Sequence, residues 1–309
     1  MYALETRNLT KKFGSKTVVD GVNLKVKNGH IFGFLGKNGA GKSTFINMIT
    51  GIIKPTGGDF YLLNKEETYE RVAKKRIGVL PDYSTFYEDL SALEHLKYFS
   101  KLLGLKLPKE ELIQTLEKVG LENAVNVKTK KFSFGMKKKL GLAQAIINNP
   151  DLLFLDEPTS GVDANAVLNI HSIIKKLAEE GKTIFLTSHN LDEVEKICDE
   201  IAIMDKGVIQ AQGSMEQLRS KYQSNIEVMI KHSKIPESHR TTLKQIFESV
   251  GQNIEWSENH TVLCLPDEAS ISIITRAFSQ CKVDVLRVEV DEPSLEEIFL
   301  KLGNEKITV

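Results

Sequence analysis

The sequence feature that most constrains the fold is the glycine-rich stretch GKNGAGKST, residues 36–44. It follows HIFGFLG, residues 30–36, an apolar run that predicts a buried strand. It leads into KSTFINMITG, residues 42–51, a pattern that predicts a helix ended by glycine. The spacing G-x-x-x-x-G-K-[ST] requires this position between a strand and a helix in order to bind phosphate. We therefore expect an α/β fold with an anion site at this turn.

The residue types of the stretch explain how it would hold phosphate. Gly36, Gly39 and Gly41 let backbone N–H groups curve around an anion, at a helix N-terminus whose dipole favours negative charge. Lys42 would place a positive charge on the β- and γ-phosphates, and the hydroxyl of Ser43 can ligate Mg²⁺. The stretch therefore predicts a phosphate site with Mg²⁺ beside it.

Apolar and β-branched runs alternate with helical patterns from the start of the chain to about residue 221. Strands are predicted at residues 76–82, 151–158 and 182–189. A helix of about fifteen residues separates the last two strands, as a parallel crossover needs. Helical periodicity dominates residues 87–148 and predicts a helical insertion. We expect residues 1–221 to form one α/β domain around a mainly parallel sheet.

The pattern changes after residue 221. Residues 222–309 have the order strand, helix, strand, strand, helix, strand, and a last helix follows. That order is the split arrangement of a ferredoxin-like unit. We therefore expect a second, small α+β domain over this range.

Composition narrows the function classes. The 41 Lys and Arg balance the 41 Asp and Glu, so net charge gives no overall attraction to nucleic acid or to an acidic membrane. The three cysteines, Cys198, Cys264 and Cys281, are too scattered for a disulfide framework or a zinc site, and we expect reduced thiols. Neither a secretory signal pattern nor an apolar run of about 18 residues is found, so we expect a cytoplasmic chain that does not itself cross a membrane.

Two acids end the strand predicted in LLFLDEP. Asp156 and Glu157 follow four apolar residues and would lie at the carboxyl end of the strand, where ligands bind in open parallel sheets. Asp156 is placed to hold Mg²⁺ through water, and Glu157 suits a general base that orients an attacking water. Capping of the next helix is the structural alternative for both. With a phosphate loop in the same chain, the catalytic interpretation is favoured.

A second helix start also has an anion-binding composition. In FSFGMKKKLGLAQA, residues 132–145, Ser133 and Gly135 precede an amphipathic pattern, and they would permit close approach to a phosphate. The lysines at 137–139 could raise the local positive potential, but three consecutive helical residues cannot all face one ligand. We expect one or two of them to be solvated surface.

Five motifs in order carry a resemblance to a known family. GKNGAGKST, FSFGM before a basic helix, LLFLDEP, SGVD and TSH resemble the nucleotide-binding subunit of an ABC transporter, a P-loop NTPase. The resemblance covers essentially the first 220 residues. It implies ATP and Mg²⁺ as ligands and a head-to-tail dimer, in which Ser133 and Gly135 face the ATP held by the other subunit. Two phosphate-facing helix starts in one chain would then make two shared sites in a pair.

Further site residues follow from the resemblance, position by position. Phe13 matches the aromatic that stacks on adenine, with a role in the core as the alternative. His189 matches the histidine that contacts the γ-phosphate and steadies the attacking water, and Ser160 and Asp163 match the loop that crosses the dimer interface. Catalysis is thus expected from Glu157 and His189, and nucleotide binding from Phe13, Gly36, Asn38, Gly39, Gly41, Lys42, Ser43, Thr44, Ser133, Gly135 and Asp163.

Two positions depart from the family pattern. Asp82 stands where the family has a glutamine that reaches Mg²⁺ and the transmembrane partner; its shorter, charged side chain could still ligate the metal. Metal binding is therefore expected at Ser43, Asp82 and Asp156. Phe134 stands where the family often has glycine, which leaves the N–H donors intact and changes packing at the interface.

The methionine and basic residues after FSFG, and the tail DEPSLEEIFLKL, resemble bacterial ABC-2-type export subunits, including those of antibiotic resistance and bacteriocin immunity. The implied function is ATP hydrolysis that energises export through separate transmembrane permease subunits. The implied partners are a permease and a second copy or a homologous ATPase subunit, on the inner face of the membrane, with no nucleic acid. The alternatives are a soluble ABC ATPase acting on nucleic acid or ribosomes, and a regulatory ATP-binding protein without turnover.

Overall fold

The computed structural model describes residues 1–63, 76–83, 85–222, 225–291 and 293–304. The chain divides into two compact units, Met1–Met215 and Glu216–Val309. The division lies at the start of the helix Met215–Tyr222, a few residues before the domain boundary expected at residue 221. Within the described residues, no helix is both long and apolar enough to span a membrane.

The first unit contains a three-stranded antiparallel sheet, in the order β2-β1-β4. Its strands are β1 Tyr2–Phe13, β2 Lys16–Lys27 and β4 Gly57–Leu62. This additional antiparallel sheet was not predicted from the sequence. Buried and exposed residues alternate along β2, which is typical of a strand with one face on the core. The strand β1 pairs with both neighbours and so lies in the middle of this sheet.

The second sheet of this unit has six strands in the order β5-β6-β7-β3-β8-β9. Its first five strands are parallel, as expected, and β9 pairs antiparallel at the edge. The bounds are β3 Ile31–Leu35, β5 Ile77–Leu80, β6 Leu152–Asp156, β7 Thr183–Ser188, β8 Glu200–Asp205 and β9 Val208–Gly213. Leu35 pairs with Ser188 and Asp156 with Thr187, so the carboxyl ends of β3, β6 and β7 share one edge.

The helices of the first unit follow the predicted order. They are α1 Lys42–Ile49, α2 Ala92–Leu102, α3 Lys109–Lys118, α4 Phe134–Ile146, α5 Ala164–Glu179 and α6 Leu191–Ile197, with short 3₁₀ turns at Glu122–Ala124 and Thr129–Lys131. The next helix, α7 Met215–Tyr222, contains the division between the two units. Helices α2, α3 and α4 lie between β5 and β6 in the chain, as the predicted insertion requires. A capping box between Ser91 and Glu94 starts α2 by satisfying two backbone N–H groups.

The core of the first unit centres on phenylalanines that the strands and α1 bury together. The rings of Phe34, Phe45 and Phe154 each lie 5.3 to 5.9 Å from that of Phe185. Phe34 lies on β3 and Phe45 on α1, on either side of the glycine-rich stretch. This packing fixes the strand and the helix that bracket the loop, and therefore the position of the loop.

The second unit has one four-stranded antiparallel sheet in the order β11-β12-β10-β13. Its strands are β10 Ile226–His232, β11 Gln252–Trp256, β12 His260–Leu265 and β13 Val285–Asp291, and its helices α8 Glu237–Val250, α9 Ala269–Gln280 and α10 Leu295–Asn304. The element order and the central place of the first and third strands are those of a split β-α-β unit. Its apolar core is its own. Residues 305–309 of the expected domain lie outside the described part of the chain.

Candidate ATP site

The glycine-rich stretch forms a tight loop between β3 and α1. Gly39 and Gly41 have φ of +81° and +112°, a region that favours glycine. A Cβ on Gly41 would lie 2.7 Å from the carbonyl oxygen of Val18, so a side chain there meets backbone. No side chain caps α1 at Gly41, which leaves N–H groups of the first turn for an anion.

Lys42 is buried at the first position of α1. Its ammonium donates a hydrogen bond to the carbonyl oxygen of Gly36 at 2.7 Å, which holds the charge at the loop. Ser43 and Asn38 are exposed, and Thr44 is half-buried. The loop therefore brings together a cation, hydroxyl and amide side chains, and helix N–H groups, which together suit a polyphosphate.

The two acids of LLFLDEP lie at the carboxyl end of β6, as predicted, and a threonine on β7 links them. The hydroxyl of Thr187, which is fully buried, donates to Oδ1 of Asp156 at 2.5 Å and accepts from the backbone N–H of Glu157 at 3.0 Å. Glu157 has φ of +50°, the left-handed region, which is rare for a residue with a side chain. The strand end is therefore a fixed and strained turn, as active sites often have.

His189 lies beside Glu157, as the resemblance implies. Its Nδ1 lies 2.8 Å from Oε2 of Glu157. The imidazole side chain is 60% exposed, whereas that of Glu157 is 12% exposed. A carboxylate at the edge of the sheet, paired with an accessible imidazole, can accept a proton from a water and orient it.

The second helix start is the beginning of α4, directly after Ser133. Ser133 caps α4, its hydroxyl accepting from the N–H of Met136 at 3.2 Å. A Cβ on Gly135 would lie 3.0 Å from Cβ of Ala166 on α5, so this position has room for little more than glycine. Phe134, 52% exposed, covers Gly161, whose ideal Cβ position lies 3.0 Å from the ring. The bulky residue at the family's glycine position thus packs on the neighbouring loop.

The SGVD loop lies against the same helix start. Asp163 caps α5 by accepting from the N–H of Ala166 at 3.0 Å, and it is exposed. Ser160 donates its backbone N–H to the carbonyl of Glu157 at 3.3 Å. Within one chain, the loop therefore connects the strand end at Glu157 to the surface around the α4 start.

Phe13 ends β1, and its ring is 52% exposed. The ammonium of Lys11 lies 5.0 Å from the ring centroid, a cation–π contact. The alternative of a core role is therefore wrong, because half of the ring faces solvent. The exposed face suits stacking on a planar base.

Asp82 lies in the loop after β5, and its carboxylate faces a lysine. Its Oδ1 is 3.6 Å from Nζ of Lys138 on α4. This ion pair draws the carboxylate toward α4, so that the metal role expected for Asp82 has a competing partner. The family pattern, which has a glutamine at this position, does not predict such an ion pair.

Lys138 is the functional candidate that the sequence analysis missed. It is 4% exposed, and its ammonium donates to the carbonyl oxygens of Asp82 at 2.9 Å and Glu157 at 2.8 Å. Burial lowers the pKa of Lys138, and the charges of Asp82, Glu157 and Asp156 oppose that shift. From the sequence, the lysines at 137–139 are interpreted as a source of positive potential or as solvated surface. For Lys138 this interpretation is wrong, because its side chain is buried. In the structure, Lys138 shares a face of α4 with the buried Gly135, three positions earlier. That spacing is the sequence feature that could have indicated a buried position for this lysine.

The donors present suit Mg²⁺ in the company of a nucleotide. No group of three or more His, Cys, Asp or Glu that could hold a metal occurs among the described residues. Magnesium does not require one, because it binds hard oxygens, keeps several waters and takes ligands from substrate phosphates. The hydroxyl of Ser43 and the carboxylate of Asp156 are such oxygens. Ser43 lies in the first turn of α1, which follows the loop after β3, and Asp156 ends β6; the carboxyl ends of β3 and β6 share one sheet edge.

Comparison with protein families gives two matches. The model of the ABC transporter domain matches residues 19–160, and that of the carboxyl-terminal domain of DrrA1-3-like ATP-binding proteins matches residues 213–302. The ABC transporter ATP-binding protein YcbN of Bacillus subtilis is 35% identical over 98% of this chain and 97% of its own length. The bacitracin transport ATP-binding protein BcrA of Bacillus licheniformis is 33% identical over 97% and 96%.

Solved structures agree with this assignment. A nucleotide-free ATP-binding cassette from an ABC transporter has a TM-score of 0.65 and 28% identity, covering 71% of this chain and 94% of its own. The cassette MJ0796, a dimer with ADP and phosphate, has a TM-score of 0.62 and 25% identity, covering 69% and 98%. The α/β P-loop NTPase fold is confirmed, and the nucleic-acid alternative is disfavoured because these relatives are transport proteins.

The chain therefore belongs to the ABC transporter ATP-binding proteins, and within them to the export ATPases with a DrrA-like carboxyl-terminal domain.

Proposed function

We propose that this chain hydrolyses ATP at a site built from the loop around Lys42 and the strand end at Glu157, and so drives export through separate permease subunits. The observation that carries the proposal is the pairing of Glu157 with His189 at 2.8 Å, on the sheet edge that also holds the phosphate loop. The chain thus has a cation for the phosphates and a base for water within one edge of one sheet.

In this proposal each side chain has a separate task. Lys42 and the N–H groups of α1 bind the β- and γ-phosphates, with Gly36, Gly39 and Gly41 allowing the close approach. Glu157 accepts a proton from the attacking water, and His189 holds that water in line. Asn38 and Thr44 line the loop, and the exposed ring of Phe13 stacks on adenine.

Magnesium is the metal that this donor set suits. Ser43 and Asp156 would hold it, Asp156 through a water, and Asp82 would share its carboxylate between the metal and Lys138. When bound, the metal neutralises charge on the phosphates. Thr187 keeps the carboxylate of Asp156 in place through the hydrogen bond to Oδ1.

The proposal includes a head-to-tail pair of ATPase subunits. Ser133 and Asp163 are exposed beside the α4 start, and Gly135 is buried next to them. The exposed part of this helix start can approach a phosphate held by another chain. The second subunit is a copy of this chain or a homologous ATPase. ATP would then close the pair, and hydrolysis would open it.

Residues 1–221 are proposed to act as the ATP-binding domain and residues 222–309 as an accessory domain. The proposed place of the pair is the inner face of the cell membrane, docked on the permease. This location is supported by the relative BcrA, which is a bacitracin transport ATP-binding protein. A resistance or export role is supported by the DrrA-like domain at residues 213–302.

The substitution Glu157→Gln tests the proposal. It keeps the shape of the side chain and removes the base, so we expect ATP still to bind and kcat to fall by about 10²- to 10⁴-fold. With ATP present, the variant should also elute from a sizing column as a dimer, because the closed pair is no longer opened by hydrolysis.

The matched control is Glu179→Gln, an exposed acid near the end of α5 whose loss should leave turnover unchanged. Both variants are measured by phosphate release and by equilibrium binding of ATP. Full turnover in Glu157→Gln would remove Glu157 as the base. A wild-type chain that binds ATP without releasing phosphate would instead favour the regulatory alternative.

A further inference from the structure

The ammonium of Lys138 lies where two separate segments of the site meet. It donates to the carbonyl of Asp82, in the loop after β5, and to the carbonyl of Glu157, at the end of β6. Its third neighbour is the carboxylate of Asp82 at 3.6 Å. One side chain from α4 therefore joins the Asp82 loop to the residue proposed as the base.

Burial makes this arrangement costly without its partners. An ammonium removed from water loses its favourable hydration, and burial is tolerated only where acceptors and a countercharge replace the lost water. Here two carbonyl oxygens and the carboxylate of Asp82 supply them. A glutamine at position 82 would offer no countercharge, so Asp82 and Lys138 belong together as a pair.

The hydrogen bond from Lys138 also affects the backbone conformation of Glu157. This residue has φ of +50°, and four contacts hold it there. Its N–H donates to Thr187, its carboxylate lies against His189, and its carbonyl accepts both from Lys138 at 2.8 Å and from the N–H of Ser160 at 3.3 Å. The shorter, charged contact from Lys138 helps to fix the peptide plane after Glu157 and is the one that also reaches the Asp82 loop.

Lys138 is also placed differently from its neighbours in the basic run. Its ammonium is buried inside its own chain, so it is not free to face a nucleotide held by another subunit. Lys139 points elsewhere, its Nζ lying 3.3 Å from the ideal Cβ position of Gly120. The two adjacent lysines therefore form a natural test pair.

We propose that Lys138 is a positioning residue for ATP hydrolysis, which holds the backbone of Glu157 and the Asp82 loop in one arrangement through a buried ion pair. The proposal rests on the proposed role of Glu157 as the base. It implies that movement of the Asp82 loop changes the position of Glu157 through Lys138, so that turnover depends on where the loop lies.

The experiment compares Lys138→Met, Lys138→Arg and Lys139→Met in the full-length protein. Methionine keeps the length of the side chain and removes its charge and donors. We expect Lys138→Met to lower kcat by about tenfold to a hundredfold, since misplacing the base by a fraction of an ångström is enough. The KM for ATP should stay within about twofold, because the phosphate loop is untouched. Arginine should restore most of kcat, and Lys139→Met should match the wild type.

Melting temperatures of all variants are measured alongside. If Lys138→Met melts far below the wild type, Lys138→Gln replaces it, because its amide keeps one donor and fills part of the space. The same loss of kcat with unchanged KM is expected. An equal rise in KM would contradict the positioning role, because a general loss of fold would affect ATP binding as well.

A double-variant cycle tests the ion pair itself. Asp82→Asn and Lys138→Met should each lower kcat, and the two together should lower it by clearly less than the product of the single effects. Multiplicative effects would refute the pair. Wild-type kcat in Lys138→Met, or an arginine variant as slow as the methionine variant, would refute the positioning role. A wild-type chain without ATPase activity would refute the proposed function, and with it the role for Lys138.

Discussion

We expect the fully buried hydroxyl of Thr187 to contribute more to the stability of this site than any other single neutral group. It donates to the carboxylate of Asp156 at 2.5 Å and accepts from the N–H of Glu157 at 3.0 Å. Thr187→Val keeps the shape and removes both hydrogen bonds. Losing a bond to a charged group costs about 1.5–3 kcal/mol, and leaving a buried N–H without an acceptor costs about 1–3 kcal/mol. Allowing for relaxation, we expect a loss of about 2–5 kcal/mol in the free energy of unfolding.

The same strand offers a matched control in Thr183. Its hydroxyl is also buried, but it accepts from the N–H of Gly29 at 2.9 Å, at the opposite end of β7 from the acids. Thr183→Val removes one neutral hydrogen bond, for which we expect about 1 kcal/mol. For a unit of this size, 1 kcal/mol corresponds to roughly 2–4 °C in melting temperature. The expected decreases are therefore about 4–20 °C for Thr187→Val and about 2–4 °C for Thr183→Val.

The assay combines thermal unfolding, followed by circular dichroism, with steady-state ATP hydrolysis. We expect Thr187→Val to lower kcat by about tenfold or more, because the strand end that carries Asp156 and Glu157 loses its link to β7. Thr183→Val should keep the wild-type kcat. Equal melting temperatures for the two variants, together with equal kcat, would refute the reasoning that the hydroxyl of Thr187 holds the acids in place.

Two other predictions concern the α4 start and the response to acid. Gly135→Asp should leave ATP binding by the monomer intact and abolish turnover, because the added carboxylate would face a phosphate across the interface. The control is Gly135→Ala, whose Cβ also lies 3.0 Å from that of Ala166 but adds no charge, and it should keep measurable turnover. Turnover in Gly135→Asp would contradict the shared site. Burial lowers the pKa of His95 and His171, so the unfolded chain binds protons more readily and stability should fall as pH falls below about 6.5. Melting from pH 7 to pH 5 checks this, and an undiminished loss in a His95→Gln, His171→Gln double variant would assign it to other groups.

Several features of this protein could be predicted from sequence because they depend on local patterns. The phosphate loop is one, since glycines at positive φ between an apolar strand and a helix leave few other conformations. The acids at Asp156 and Glu157 are another, because four apolar residues before them predict a buried strand that ends there. The element order of the second unit was also predictable, because each strand and helix has its own periodicity.

The tertiary structure decided the rest. Lys138 meets Glu157 across 19 positions and Asp82 across 56, and Thr187 meets Asp156 across 31. The antiparallel sheet β2-β1-β4 likewise joins the hairpin at the start of the chain to a strand that follows α1. Local periodicity states which face of an element is buried, but it does not state which other element covers that face. A buried lysine and a buried threonine hydroxyl acquire their partners only when the strands and α4 pack together. For that reason the sequence could point to Glu157 as the proposed base, while only the fold showed which groups hold it.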